Sequence, residues 1–76
     1  MKEILETIIK NLVDDKDAVE INEVDGEKTT VFEVKVAQSD MGKVIGRQGR
    51  LARSIRTVVK ACGNKEGKHA TVEFIG

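Results

Sequence analysis

Residues 41–62 read MGKVIGRQGRLARSIRTVVKAC, which contains two helical patterns joined at a pair of glycines. The apolar residues of the first pattern fall on one side of a short helix: Met41, Val44 and Ile45. Ser39 or Asp40 can cap this helix by accepting a hydrogen bond from a free backbone N–H. The helix is expected to stop at Gly46.

A second helix is predicted from near Gly49 to about Cys62, with Gly63 as its C-terminal stop. Its apolar residues repeat at the spacing of an amphipathic helix: Leu51, Ile55, Val58, Val59 and Cys62. On a helical wheel the cations Arg53, Arg56 and Lys60 lie away from this stripe. We interpret Arg56 and Lys60 as solvent-facing, and Arg53 as either solvent-facing or part of a binding site.

The flanking segments predict one more helix and three strands. Residues 2–13 have apolar positions at helical spacing, and residues 19–24 indicate a short strand that ends at the turn signal Asp25-Gly26. The strongest strand pattern runs from Thr29 to Val36, where inward and outward residues alternate. After a polar loop, Ala70, Val72 and Phe74 alternate with polar residues and predict a last strand. The predicted order is αββααβ, an α+β fold in which three helices cover one face of a three-stranded sheet.

The charges are distributed unevenly along a chain whose net charge is zero. Residues 1–40 carry five lysines against eleven acidic residues, a net charge of −6, and the rest of the chain carries +6. All four arginines lie between positions 47 and 56, and no acidic residue lies between Lys43 and Lys60. This basic segment is therefore the candidate surface for binding an anion.

The two predicted helices meet at Gly46-Arg47-Gln48-Gly49. Glycines allow a sharp turn and let a bulky ligand approach the backbone. The first N–H groups of the second helix lack an intrahelical acceptor and present partial positive charge to a phosphate. Arg47 and Arg50 flank these donors, and a guanidinium can bind two phosphate oxygens at once. Together these features predict a phosphate clamp.

The segment Val44–Arg50 resembles the VIGxxG signature of KH domains, in which a GXXG loop holds about four nucleotides of single-stranded RNA. The order αββααβ resembles the type II KH topology. The resemblance extends over Gly42–Arg50, Ile55–Ala61 and Gly26–Val31 to the small KhpA-type single-KH proteins of bacteria, and it covers nearly the whole chain.

The resemblance implies a groove in which Lys43, Gly46, Arg47, Gln48, Gly49 and Arg50 would contact the RNA backbone and Ile45 would form part of an apolar floor. Arg53, one turn into the second helix, is a further candidate for RNA binding on the strength of its own charge and position. Only two aromatic residues occur, Phe32 and Phe74, and both fall on predicted core faces, so base stacking on aromatics is not expected. The implied role is that of an RNA chaperone or post-transcriptional regulator. The implied partners are single-stranded RNA and either a second copy or a larger multidomain KH protein of the KhpB (Jag/EloR) type.

Two other binding functions fit parts of the pattern. A helix-turn-helix motif could present the arginine-bearing helix to duplex DNA, although that motif packs two full helices around a tighter corner. The chain could also be a protein-interaction module whose clamp no longer binds a ligand. Assays with single-stranded and duplex nucleic acid distinguish these alternatives.

Composition limits the remaining possibilities. A chain of 76 residues with 39% hydrophobic and 34% charged residues predicts one small folded domain over residues 1–76. No signal peptide or membrane span is apparent, so a cytosolic location is expected. Cys62 and His69 alone cannot form a disulfide or a zinc site. No Walker loop or nucleophile elbow is present, and we predict a non-enzymatic protein without a metal or cofactor.

Overall fold

The computed structural model describes residues 1–75. Its helices and strands are α1 (Lys2–Leu12), β1 (Glu20–Asp25), β2 (Thr29–Lys35), α2 (Met41–Ile45), α3 (Arg50–Lys65) and β3 (His69–Ile75). Short 3₁₀ turns precede β1, α2 and α3, over Lys16–Ala18, Gln38–Asp40 and Arg47–Gly49. The predicted order αββααβ and the α+β class are confirmed. Within this described part, no helix is both long and apolar enough to cross a membrane.

The three strands form one mixed sheet in the order β1-β2-β3. β1 pairs with β2 in antiparallel register, with Ile21 opposite Val34, and β2 pairs with β3 in parallel register, with Phe32 opposite Val72. A parallel pair needs a long crossover connection. The crossover here contains α2, the glycine pair and α3, so the sheet fixes where the basic segment lies.

The core lies between the helices and one face of the sheet. Along β2, Thr30, Phe32 and Val34 are fully buried, whereas their neighbours on the other face are partly or largely exposed. Apart from Ala52, the buried apolar residues of the described chain form one cluster: Leu5, Ile9, Val13, Phe32, Val34, Val36, Val44, Ile55, Val59, Ala70 and Val72. This arrangement agrees with the predicted sheet covered on one face by three helices.

The prediction that Gly63 ends the second helix is wrong. α3 continues to Lys65, and the glycine that ends it is Gly67, which has φ +73°. The Lys68 N–H donates to the Gly63 carbonyl at 2.9 Å and the Gly67 N–H to the Asn64 carbonyl at 3.2 Å, the bonding pattern of a Schellman motif. Gly63 is buried within the helix. A Cβ at this position would come within 2.7 Å of the Ala70 Cβ, so the close contact between α3 and β3 requires glycine there.

The buried face of α3 is rotated from the predicted stripe. Ala52, Ile55, Val59 and Gly63 are buried, whereas Val58 is 43% exposed. Small residues face the sheet because α3 packs closely against β3, and small residues carry little weight in a hydrophobic pattern. Apolar periodicity therefore placed Val58 in the core and overlooked Ala52.

Candidate nucleic-acid interface

The loop between α2 and α3 has positive φ at three of its four residues. Gly46 has φ +75°, Gln48 has φ +56° and Gly49 has φ +74°. At Gly46 a Cβ would also lie 2.6 Å from the Cβ of Leu51, so both conformation and space require glycine there. At Gly49 nothing lies within 4 Å, and only its backbone conformation favours glycine.

Gln48 is the one residue other than glycine with positive φ within residues 1–75. An L-residue in this region costs roughly 1–2 kcal/mol relative to the right-handed helix, and such strain is concentrated at functional sites. The strained peptide lies at the tip of the loop, where Arg47 and Gln48 are both exposed. The geometry therefore singles out these two residues as the part of the loop that a ligand meets first.

The loop also leaves backbone donors free. The Gly46 N–H donates to the Gly42 carbonyl at 3.0 Å, and the Gly49 N–H donates to the Gly46 carbonyl at 3.3 Å. The N–H groups of Arg47 and Gln48, which lie between them, have no acceptor among the described residues. Two adjacent free donors at the start of a helix favour an anion.

The structure brings most of the predicted site residues to this end of α3. Arg47, Gln48, Arg50 and Arg53 are exposed, as expected for residues that contact a ligand. Ile45 is half-buried and packs against the core cluster, so it lies at the boundary between the core and the surface. α2 has only five residues, and this length does not suit the two full helices of a helix-turn-helix motif.

Asp40 does not cap α2, which contradicts that expectation, and Ser39 does not cap it either, since the helix has no side-chain cap. Asp40 is instead a buried residue, 1% exposed, and its carboxylate accepts hydrogen bonds from the backbone N–H groups of Asp14 and Asp15, at 3.2 and 3.0 Å. These donors follow the end of α1. Asp40 therefore ties the connection after α1 to the start of α2.

Lys43 completes this network, because its Nζ lies 3.3 Å from a carboxylate oxygen of Asp40 and donates a hydrogen bond to Asp14. The N–H donors of Asp15 and Asp14, and then Lys43, hold the pKa of Asp40 below the 3.8 ordinary for an aspartate side chain. The hydrogen bonds to Asp14 and Asp40 raise the pKa of Lys43. Lys43 is thus less available to an anionic ligand than Arg47 and Arg50, and its predicted role remains a prediction.

Arg56 is better connected than the solvent-facing interpretation allowed. Its Nε donates to the carbonyl of Val72 in β3 at 3.1 Å, and its guanidinium lies over the ring of Phe74, 5.7 Å from the ring centre. The side chain remains exposed. The sequence contains one weak indication of this contact. On the helical wheel of α3, Arg56 lies nearer to the apolar stripe than Lys60 does.

The family whose sequence profile matches is described as "KhpA/KhpB, KH domain", and the match covers residues 2–74. The chain is 57% identical to a protein of Clostridium acetobutylicum named RNA-binding protein KhpA, over 99% of this chain and 100% of the relative. It is 56% identical to the protein of that name from Caldanaerobacter subterraneus, again over 99% and 100%. The Aquifex aeolicus protein of the same name is 48% identical over 99% of this chain and 95% of its own length.

No solved structure gives a significant match to the chain. The family match agrees with the α+β fold of the order αββααβ, and the relatives match over their full length. The chain belongs to the KhpA/KhpB family of KH domains.

Proposed function

We propose that this chain binds short single-stranded RNA, with the loop Gly46–Gly49 as a clamp on the sugar-phosphate backbone. The observation that carries the proposal is the loop geometry: two glycines with positive φ enclose Arg47 and Gln48, whose side chains are exposed and whose N–H groups are free. The relatives named RNA-binding protein KhpA support the same function.

The other predicted contacts extend from this clamp. Arg50 and Arg53 lie in the first turns of α3, where they add charge-assisted bonds to phosphate, and Ile45 provides an apolar surface beside the loop. Lys43 contributes less than the arginines, since Asp14 and Asp40 already hold its ammonium group. Phe32 is fully buried, so it offers no stacking surface. Affinity should therefore depend strongly on salt, and stacking on Phe32 should add no sequence preference.

The proposed role is that of a cytoplasmic RNA chaperone or post-transcriptional regulator without catalytic activity. We further propose that the chain acts in pairs, with a second copy or with a larger KH protein of the KhpB type. The family description, which covers both KhpA and KhpB, supports such a pairing. One clamp contacts few nucleotides, and a second clamp held nearby raises affinity through effective concentration.

The clamp is tested by the double substitution Arg47→Asp/Gln48→Asp. It places negative charge where phosphates bind, and we expect affinity for a fluorescein-labelled single-stranded RNA to fall at least tenfold, since hydrogen bonds to charged groups contribute about 1.5–3 kcal/mol each. The affinity of the unmodified protein should fall as salt rises. Fluorescence anisotropy measures both effects, and circular dichroism shows whether the variant is folded.

The matched control is Asn64→Asp/Lys65→Asp, which makes the same change in charge on exposed residues at the other end of α3. It should weaken binding much less than the clamp variant. Equal binding by the clamp variant and the unmodified protein would refute the clamp. Binding of duplex DNA alone, or of a protein alone, would refute the proposed function.

A further inference from the structure

Arg56 is the arginine of α3 that the clamp does not use, and it is held in a defined position. Its Nε–H donates to the Val72 carbonyl at 3.1 Å, and its guanidinium lies 5.7 Å from the centre of the Phe74 ring. A cation over an aromatic face is attracted to it. Two separate contacts therefore fix the plane of a side chain that is otherwise exposed.

This position is on the open edge of the sheet. β3 has β2 as its neighbour on one side only. The His69 N–H donates across to the Lys28 carbonyl at 2.8 Å, so His69 and every second residue after it direct their backbone groups toward β2. Val72 is one of the alternate residues whose backbone groups face away. Arg56 thus covers the free edge of β3.

The free edge of β3 extends away from the clamp. α3 runs antiparallel to β3, because Gly63 packs against Ala70 whereas Arg56, earlier in the helix, reaches Val72 and Phe74. Arg56 lies about 9 Å further along the helix axis than Arg50, at 1.5 Å per residue. An RNA strand held by its phosphates at the loop can therefore bring a base to Arg56.

A guanidinium has five N–H donors and no acceptor. One donor is used by Val72, and the four on the two Nη atoms make no hydrogen bond within residues 1–75. Because the plane is already held, little conformational entropy is lost when these donors bind a ligand. We propose that Arg56 is a specificity-determining residue that binds the edge of a nucleobase through two parallel hydrogen bonds; this proposal rests on the proposed RNA-binding function.

Two donors side by side require two adjacent acceptors. Guanine presents O6 and N7, the pair that arginine most often binds in nucleic acids, and cytosine in a single strand presents O2 and N3. Adenine places an amino donor beside N1 and N7, and uracil has an N–H between its two carbonyls. Arg56 should therefore favour guanine or cytosine over adenine and uracil.

The test uses four labelled RNA octamers: eight uridines, and the same strand with one central cytidine, guanosine or adenosine. For each protein the dissociation constants are measured by anisotropy, and the readout is their ratio to that of the all-uridine strand. The variants are Arg56→Lys and Arg56→Gln, with Lys60→Gln as a control that removes a positive charge one turn further along α3. A ratio measured within one variant is independent of the fraction of that variant that is folded.

The unmodified protein should bind the cytidine or the guanosine strand about tenfold more tightly than the uridine and adenosine strands, a discrimination consistent with one bidentate pair. Both Arg56 variants should lose this preference, since lysine keeps the charge but not the fork, and Lys60→Gln should retain it. Comparison of the cytidine-containing RNA with the guanosine-containing RNA shows which of these two bases Arg56 binds. RNA binding without any base preference, or a preference that survives in Arg56→Lys, would overturn this inference alone. The absence of all single-strand binding would overturn the proposed function as well.

Discussion

Replacing Gly63 with alanine should lower the free energy of unfolding by about 1–2 kcal/mol, since overpacking a core typically costs about 1–3 kcal/mol and the higher helix propensity of alanine offsets up to about 1 kcal/mol of this cost. The added Cβ would lie 2.7 Å from the Cβ of Ala70, 3.0 Å from the Lys68 carbonyl oxygen and 3.2 Å from the Ala70 nitrogen. None of these atoms is the end of a flexible side chain, so helix and strand must move apart. Urea unfolding followed by circular dichroism measures the loss.

Gly42→Ala is the matched control, because Gly42 is also a helical glycine but has nothing within 4 Å of the added Cβ. Alanine is favoured over glycine in a helix by roughly 0.8–1 kcal/mol, so this variant should be as stable as the unmodified protein or more so. If Gly63→Ala were equally well tolerated, the close packing of α3 on β3 would be wrong.

Asp40→Ala should lower the Tm by roughly 10 °C, which corresponds in a domain of this size to about 2 kcal/mol, the loss expected when two part-buried hydrogen bonds are removed. The substitution leaves the N–H groups of Asp14 and Asp15 without their acceptors and removes the nearest buried partner of Lys43. Differential scanning calorimetry measures the change. Asp14→Ala is the control, because its side chain is exposed and contacts only Lys43 in this network, and its Tm should fall by a few degrees at most.

The stability contributed by Asp40 should also depend on pH. Its pKa is lower in the folded protein than the ordinary 3.8, so the ionised carboxylate stabilises the fold above that value, and the stabilisation is lost as the pH falls through the lowered pKa. Asp40→Asn should therefore be less stable than the unmodified protein at pH 7, and the difference should shrink at pH 2–3. A difference that stays constant over this range would mean that the charge of Asp40 does not stabilise the fold. Urea unfolding at both pH values gives the comparison.

Much of the fold could be predicted from the sequence because alternation and helical spacing are direct consequences of burying one face. Phe32 and Val34 in β2, and Ile55 and Val59 in α3, are buried as their periodicity indicated. The glycine loop between α2 and α3 could be predicted too, since paired glycines between two helical patterns are a local feature, and its role as a clamp stays a prediction.

The roles that could not be predicted from the sequence depend on contacts between residues that are distant along the chain. Gly63 looks like a helix stop until the position of Ala70 is known, and both roles use the same property, the absence of a Cβ. Asp40 looks like a helix cap because nothing local shows that the N–H groups of Asp14 and Asp15 lie beside it. Arg56 looks like an ordinary surface cation because its partners are in β3.

The parallel pairing of β2 with β3 has a consequence for the order in which the protein is completed. The loop Gly46–Gly49 lies in the connection between these strands, and α3 has its closest sheet partner in β3. During synthesis, α2, the loop and α3 leave the ribosome before β3 does, at about 5–20 residues per second. We expect the loop to lack the support of the sheet until residues 69–75 have emerged and paired with β2. A growing chain should therefore acquire the geometry of this loop only after β3 has emerged and paired with β2.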